Sequence, residues 1–388
     1  MEIGGDNVRN SLYTPDHEQF RAAVRSFLQR EAVPNVAKWE AQRRVDLDFY
    51  RKAGELGMLG LQVPESFGGG GQSSFTYNLV VAEELLAAHL QMSPIRVHID
   101  VVIPYFLSYA TELQKNRWLP RLASGESMAA IAMSEPGTGS DLSAIRTTAQ
   151  RDGDKFVING AKTFITGGIN ADLVIVVART SQTGNGREGL SLFVVQADTA
   201  GFAKGRNLDK LGMKYADTAE LHFEDVVVGI DDLLGQEGRA FEYLTSNLAQ
   251  ERISAAAGSL AMAKAALSDT VAYVKQREIF GQPLSQFQNT KFVLAAVSTE
   301  IEAADSMLQR AVAELDAGEL TGADAARVKL FCSEMQARAV DNCLQLFGGY
   351  GYMMEYPIAK MYADARVSRI FAGSSEIMKT IVAKSLGL

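Results

Sequence analysis

The sequence predicts an α+β protein with helices on either side of a central β unit, and three observations carry that reading. Apolar residues recur at helical spacing over about the first third of the chain, switch to a period of two between Met128 and Val228, and return to long helical runs beyond Gly238. Turn dipeptides such as Asp152-Gly153 and Asn159-Gly160 punctuate the middle stretch. The expected division is an N-terminal helical domain over 1-127, a middle β-barrel or sandwich domain over 128-236 and a C-terminal four-helix-type bundle over 237-388.

The elements follow in chain order. Thr14-Pro15 reads as a helix cap with proline in the first helical position, and Phe20, Val24, Phe27 and Leu28 share one face behind it. That helix is expected to stop near Pro34, because proline removes a backbone donor. A second helix is expected from about Leu47 to Leu59, and a third from about Tyr77 to Ala88. Between them, Phe67-Gly68-Gly69-Gly70-Gly71 lacks the lysine and hydroxyl of a phosphate-binding loop and reads as a plain turn. Short strands are expected at Lys155 to Ile158 and Lys162 to Ile165, with a turn at Asn159-Gly160, and then at Asp172 to Ala178, Leu190 to Gln196 and Ala219 to Phe223. Long helices then run from about Ala240 to Lys275, from Phe287 to Asp316, and from the capping box Thr321-x-x-Asp324 to about Phe347, forming an antiparallel bundle.

Composition narrows the function classes. With 388 residues, 47% of them hydrophobic, the chain can bury a sizeable core. A net charge of -8 with dispersed Lys and Arg argues against nucleic-acid binding. Cys332 and Cys343 read as reduced core thiols, and His17, His89, His98 and His222 show no metal-ligand spacing, so no metal centre is expected. No apolar run is long enough for a membrane span. Met1-Glu2-Ile3-Gly4-Gly5-Asp6 is neither basic nor apolar, which predicts no secretory signal and a cytoplasmic protein.

Six segments carry chemistry. Met133-Ser134-Glu135-Pro136-Gly137-Thr138-Gly139-Ser140-Asp141 reads as a strand and a Gly-rich turn, and Phe164-Ile165-Thr166-Gly167-Gly168 follows a second strand. Gln250-Glu251-Arg252 lies in a long helix. Arg277-x-x-Phe280-Gly281 precedes Gln288, and an arginine fork suits a diphosphate. Gln345-Leu346-Phe347-Gly348-Gly349-Tyr350-Gly351-Tyr352 holds more glycines than a helix C-cap requires, and glycines permit close approach of backbone to a ligand. The last segment is Ile370-Phe371-Ala372-Gly373-Ser374-Ser375-Glu376-Ile377.

Together, over nearly the whole chain, these segments resemble the signature segments of the acyl-CoA dehydrogenase family. The resemblance implies FAD as cofactor, an acyl-CoA thioester as substrate, electron-transfer flavoprotein as electron acceptor and a homo-oligomer, usually a tetramer. It implies that Met133, Ser134, Phe164 and Thr166 line the flavin ring, with Phe164 where tryptophan is frequent. Arg277, Phe280 and Gln288 would reach the diphosphate and adenine of a neighbouring subunit's flavin, with Gln345 and Gly349 on the adenine side. Ser140 would face the pantetheine end of the substrate, Arg252 would belong to its binding site, and Ser374 and Glu376 take the places of a threonine and a glutamine beside the flavin.

The resemblance contains one departure, and it concerns the base. Dehydrogenation of this kind needs a carboxylate to remove the α-proton, a hydride acceptor for the β-hydrogen and donors to the developing enolate oxygen. The last segment commonly reads Tyr-Glu-Gly-Thr in relatives, with the glutamate as base, and here its place is Ala372. In the isovaleryl and long-chain branches the glutamate lies instead at the position matched by Glu251, in a similar Glu-Arg pair, and the late position is small. Glutamate at 251 with alanine at 372 therefore reads as a relocated base, while the NH of Ala372 remains available to the thioester oxygen.

Substrate choice rests on Met92 to Val102, matched to the helices that close the acyl pocket, where relatives tend to show His-Asn-Asp and this chain has His98-Ile99-Asp100. Arg96 reads there as a solvated surface arginine; turned inward, it would admit a polar or carboxylated acyl group. The expected activity is α,β-dehydrogenation of an acyl-CoA to the trans-2-enoyl-CoA. The alternatives are the same reaction on an acyl group tethered to a carrier protein, a flavin-dependent oxygenase and a non-catalytic flavoprotein.

Overall fold

The computed structural model describes residues 12–181 and 186–388 of the chain, so the reading of Met1 to Asp6 lies outside the described residues. The N-terminal helices are α1 (Pro15–Phe27), α2 (Val36–Gln42), α3 (Leu47–Glu55), α4 (Thr76–Ala87), α5 (Ser93–Arg96), α6 (Ile103–Tyr109) and α7 (Glu112–Ala123). Thr14 caps α1, and the His17 ring reaches back to accept the Thr14 N–H at 3.0 Å. The chain does not leave its helical path at Pro34. A π turn (Leu28–Ala32) and a 3-10 turn (Val33–Asn35) place the proline at the start of a new turn, where its missing donor costs nothing, and α2 continues from there.

The glycine run after α3 is a packed turn. Gly68 adopts a φ of 81°, and a Cβ at Gly69 would stand 2.1 Å from the Val63 carbonyl oxygen.

The middle unit holds β1 (Ala129–Ala132), β2 (Thr148–Asp152), β3 (Lys155–Thr166), β4 (Leu173–Arg179), β5 (Leu190–Gln196), β6 (Phe202–Asn207), β7 (Thr218–Gly229) and β8 (Leu233–Leu234). They form one eight-stranded sheet in the order β6-β7-β3-β2-β4-β5-β8, with β1 pairing parallel to β4. Alternation along β4 and β5 sends Val174, Val176, Phe193 and Val195 into the sheet's own core and Ile175, Val177, Leu192 and Val194 toward Tyr105, Phe106 and Trp118 of the N-terminal helices.

Two strand expectations change. Lys155 to Thr166 is one strand, and Asn159-Gly160 forms a bulge in its pairing with β7 rather than a turn. The Asn159 side chain exchanges hydrogen bonds with Asp225 on the facing strand, donating to Oδ1 at 3.0 Å and accepting from its N–H at 2.9 Å. That local pairing replaces the reversal that the dipeptide otherwise favours. The polar edge strand β6 has weak alternation and escapes the sequence reading.

The C-terminal unit contains α8 (Ala240–Gln276), a small hairpin of β9 (Glu278–Ile279) and β10 (Gln282–Pro283), α9 (Gln288–Asp316), α10 (Gly322–Leu346), α11 (Pro357–Ala365) and α12 (Ser375–Ser385). Thr321 caps α10 by accepting the Asp324 N–H at 3.1 Å, as its sequence predicts. α8 packs against α9, α10 and the N-terminal α4, and one apolar core joins Leu85 and Ile95 to Ile253, Leu260, Val328 and Met335. The strands and both helical layers therefore meet along one stretch of α8.

Candidate active site

α8 is buried along most of its length, and Glu251 lies on its inner face. It lines a cavity of about 200 Å³ together with Phe164 and Thr166 of β3 and with Phe371 and Ala372 of the last loop. Residues from the middle and end of the chain, separated by more than a hundred positions, thus converge where the helical layers meet the sheet.

The Glu251 carboxylate is buried and accepts one hydrogen bond, from the Tyr105 hydroxyl to Oε1 at 3.1 Å. Burial lifts its pKa to about 7; the Tyr105 hydrogen bond and the Arg252 charge oppose that rise without cancelling it. A carboxyl group that titrates near neutrality suits a general base. Tyr105 escapes the sequence reading. It is one more apolar-facing residue of a short helix, and only the packing of α6 on α8 reveals its partner.

Ala372 holds a left-handed φ of 53° and Gly373 one of 89°, so the loop turns twice through a region disfavoured for alanine. Among the described residues, the Ala372 N–H takes no hydrogen-bond partner. The loop is held from below by the fully buried Lys329 of α10, whose Nζ donates to the Gly373 carbonyl at 2.7 Å. Burial first, and then the Arg252 charge, bring this lysine down to about 8. Ser374 caps α12, accepting the Ile377 N–H at 3.4 Å. Glu376 is exposed in the first turn of that helix, where its own backbone N–H and Ser374 hold its carboxyl below the ordinary range.

An ion pair sets the β side of the site. Lys162 is buried and binds Glu135 at 2.9 Å and the Met133 carbonyl at 3.0 Å, while Glu135 also accepts the Arg146 and Thr147 N–H groups. The Thr163 N–H donates to the Ser134 carbonyl at 3.0 Å. Met133 and Ser134, just beyond β1, are thereby laced to the strand that carries Phe164 and Thr166. Phe164 has a φ of 60° and is 69% exposed, and Ile370 and Phe371 are also exposed.

The other residues singled out in the sequence lie elsewhere. Ser140 is exposed on the loop after β1, and Arg252 is buried beside α10 with Nη1 on the Gly322 carbonyl at 3.3 Å. Neither lines the cavity that holds Glu251. Arg277, Phe280, Gln288, Gln345 and Gly349 are exposed, and the first and last of these groups meet: the Arg277 guanidinium stands 5.6 Å from the Tyr350 ring centroid.

Arg96 is not a solvated surface arginine. It lines the same cavity as Glu251, and its side chain is 15% exposed. His98 beside it is buried and neutral, accepting the Ala129 N–H on Nδ1 and so donating from Nε2 to the Leu122 carbonyl; burial takes it down to about 4. Among the described residues no cluster of His, Cys, Asp and Glu could hold a metal ion, and both cysteines are buried and free.

Family models describing the acyl-CoA dehydrogenase N-terminal, middle and C-terminal domains match residues 14–126, 130–226 and 238–387. The chain belongs to the acyl-CoA dehydrogenase family.

It is an oxidoreductase of that family and shares its fold. The chain is 39% identical over 376 residues to the mitochondrial long-chain specific acyl-CoA dehydrogenase of Sus scrofa, covering 97% of this chain and 87% of that protein. It is similar to the crystal structure of an acyl-CoA dehydrogenase from Geobacillus kaustophilus, with a TM-score of 0.95 and 44% identity over 97% of this chain and 100% of the other. A glutaryl-CoA dehydrogenase from Mycobacterium smegmatis, solved in complex with FADH2, matches at 28% identity and a TM-score of 0.89 over 97% and 96% of the two chains. FAD is the family's cofactor, and the residues of this chain fit it. Phe164, exposed and held in a left-handed conformation, lines one cavity with the exposed Phe371 and with Thr166, a lining that suits a flat, partly polar ring.

Proposed function

We propose that the protein oxidises an acyl-CoA to the trans-2-enoyl-CoA, with Glu251 as the base and electron-transfer flavoprotein as the electron acceptor. The observation that carries the reading is a buried carboxylate, titrating near 7, in the cavity that also holds Ala372 and the β3 cradle; Asp364, the other carboxyl on the cavity wall, is engaged by the Met213 N–H. Bound FAD supplies the acceptor for the β-hydride. Glu251 takes the α-proton, and burial keeps its proton affinity matched to that task. The free Ala372 N–H receives the thioester oxygen as charge develops on it, and Lys329 holds the loop in register. Alanine at 372 leaves room for a carboxylate arriving from α8.

Met133, Ser134, Phe164 and Thr166 position the flavin ring in this reading, and Ser374 and Glu376 border it. Ser140, exposed outside that cavity, serves the pantetheine end of the substrate, and Arg252, which does not line the cavity either, serves the site through its charge on Glu251. Arg277, Phe280, Gln288, Gln345 and Gly349 serve the flavin of a neighbouring copy in a homotetramer, which accounts for their exposure.

The test is anaerobic bleaching of the flavin by a panel of straight-chain acyl-CoAs. Bleaching by the unmodified protein is expected to slow by about 100-fold or more in Glu251→Gln. Undiminished bleaching in that variant removes Glu251 from its role. Rapid reoxidation by oxygen with hydroxylated product would favour an oxygenase instead.

A further inference from the structure

Beyond Glu251, the cavity wall is more polar than an alkyl chain requires. The inner face of α8 presents Glu251, Ser254, Ala255, Gly258, Ser259 and Met262 in turn, and Arg96 stands over the middle of this stripe. Its Nη2 donates to the Ser254 carbonyl, to Ser254 Oγ at 2.7 Å and to Asp100 Oδ2 at 3.4 Å. Asp100 is buried, and the Asn78 amide at 2.7 Å and the Ser254 hydroxyl complete its shell. One nitrogen of the guanidinium is thus fully employed in anchoring it.

The rest of the guanidinium is not. Nε is buried and without a partner among the described residues, where the hydrogen bonds that Arg96 makes all come from Nη2. Nη1 lies over Gly258, where a Cβ would stand 2.0 Å away, so the glycine makes the space that the group occupies. A buried donor without a partner is costly, and native structures rarely retain one without a use. Gln336, on the same cavity, has a buried Oε1 that is also without a partner. At a rise of about 1.5 Å per residue, Ser254 and Gly258 lie about 4.5 and 10.5 Å along the helix axis from Glu251. Arg96 therefore meets an acyl chain several carbons past the bond being oxidised.

We propose that Arg96 is a specificity-determining residue for acyl groups bearing an oxygen acceptor on the distal part of the chain, a carboxylate or a neutral oxygen such as a hydroxyl. The inference rests on the dehydrogenase reading above and names the substrate class for that site. The guanidinium holds the distal oxygen through its free N–H groups, and the anchoring by Asp100 and Ser254 fixes where that oxygen must lie. Plain alkyl chains would leave these donors unsatisfied, which is a penalty against them.

The experiment compares kcat/KM for suberoyl-CoA, 7-hydroxyoctanoyl-CoA and octanoyl-CoA, and for adipoyl-CoA and hexanoyl-CoA, in the FAD-loaded protein. An oxygenated chain is expected to outrun its plain counterpart, and Arg96→Leu is expected to reduce that preference by about 10- to 100-fold. Preference for the carboxylate identifies a charged terminus, and preference for the hydroxyl a neutral one; either supports the proposal. Because Arg96→Leu strands Asp100, Arg96→Lys and Gly258→Ala are measured beside it. Both keep the charge, but the lysine has no Nη1 and the new Cβ at 258 displaces it, and both are expected to reduce the preference. Equal turnover of plain and oxygenated chains, or a preference unchanged in all three variants, overturns the inference. Octanoyl-CoA in Glu251→Gln is the separate control: undiminished turnover there overturns the base assignment and leaves the substrate preference to be judged by its own ratios.

Discussion

Glu251 shows how burial shifts the titration of an ordinary side chain. In water its carboxyl would be ionised throughout the neutral range; inside α8 it titrates near 7, because the apolar wall disfavours the charged form more than Tyr105 and Arg252 favour it. The carboxylate is the active form, so kcat/KM is expected to rise as pH increases through about 7. Tyr105 stabilises that charged form, so Tyr105→Phe should move the midpoint upward and slow flavin reduction most on its acid side. Single-turnover reduction measured across neutrality checks both points. A midpoint in the usual carboxylate range, or one indifferent to Tyr105, would show that another group is being titrated. The glutamate was legible in the sequence through its pairing with Ala372. Tyr105 and Lys329 were not, since nothing local distinguishes a tyrosine or lysine that will meet a catalytic loop from one that will not.

At the scale of elements, the two surprises have one cause. Pro34 and Asn159-Gly160 are strong local signals for a stop and a turn, yet in each case the chain continues in its original direction. A proline is tolerated wherever its missing N–H has no duty, and the 3-10 turn provides that position. Gly160 is tolerated in a strand because its φ of 152° and its close approach to Thr147 shape a bulge. A Cβ there would stand 2.5 Å from Thr147 Oγ1. Gly160→Ala is therefore expected to destabilise the protein by about 1 to 3 kcal/mol, read as a lower urea midpoint. Helices with long apolar stripes and clear caps, such as α9 and α10, were readable to within a residue or two, whereas the polar edge strand β6 was not.

At the scale of the whole molecule, the exposed residues of the C-terminal unit bear on the proposed tetramer. Phe280 is 93% exposed with a φ of 49° and contacts only Phe287 among aromatic side chains of the described residues, at 6.4 Å between ring centroids. The proposed tetramer gives this ring a cover and gives Arg277 and Gln288 a ligand. Phe280→Asp is expected to shift the protein to a smaller species by sedimentation and to loosen FAD, with the two losses tracking each other across protein concentration. FAD retained at full affinity by a monomer would separate cofactor binding from assembly and remove these residues from that role.

The sequence by itself determined the family and the order of helical and β units, and it singled out the residue proposed as the base. Those properties are written in periodicity and in short motifs, which depend on neighbours close along the chain. Only the tertiary structure decided what surrounds that base. Whether Arg96 faces solvent or cavity depends on Gly258 and Ser254, more than a hundred residues away, which leave it a space and an anchor. Burial and partnership are properties of packing between distant segments, and the chemistry of Glu251 and Arg96 follows from those contacts rather than from their residue types.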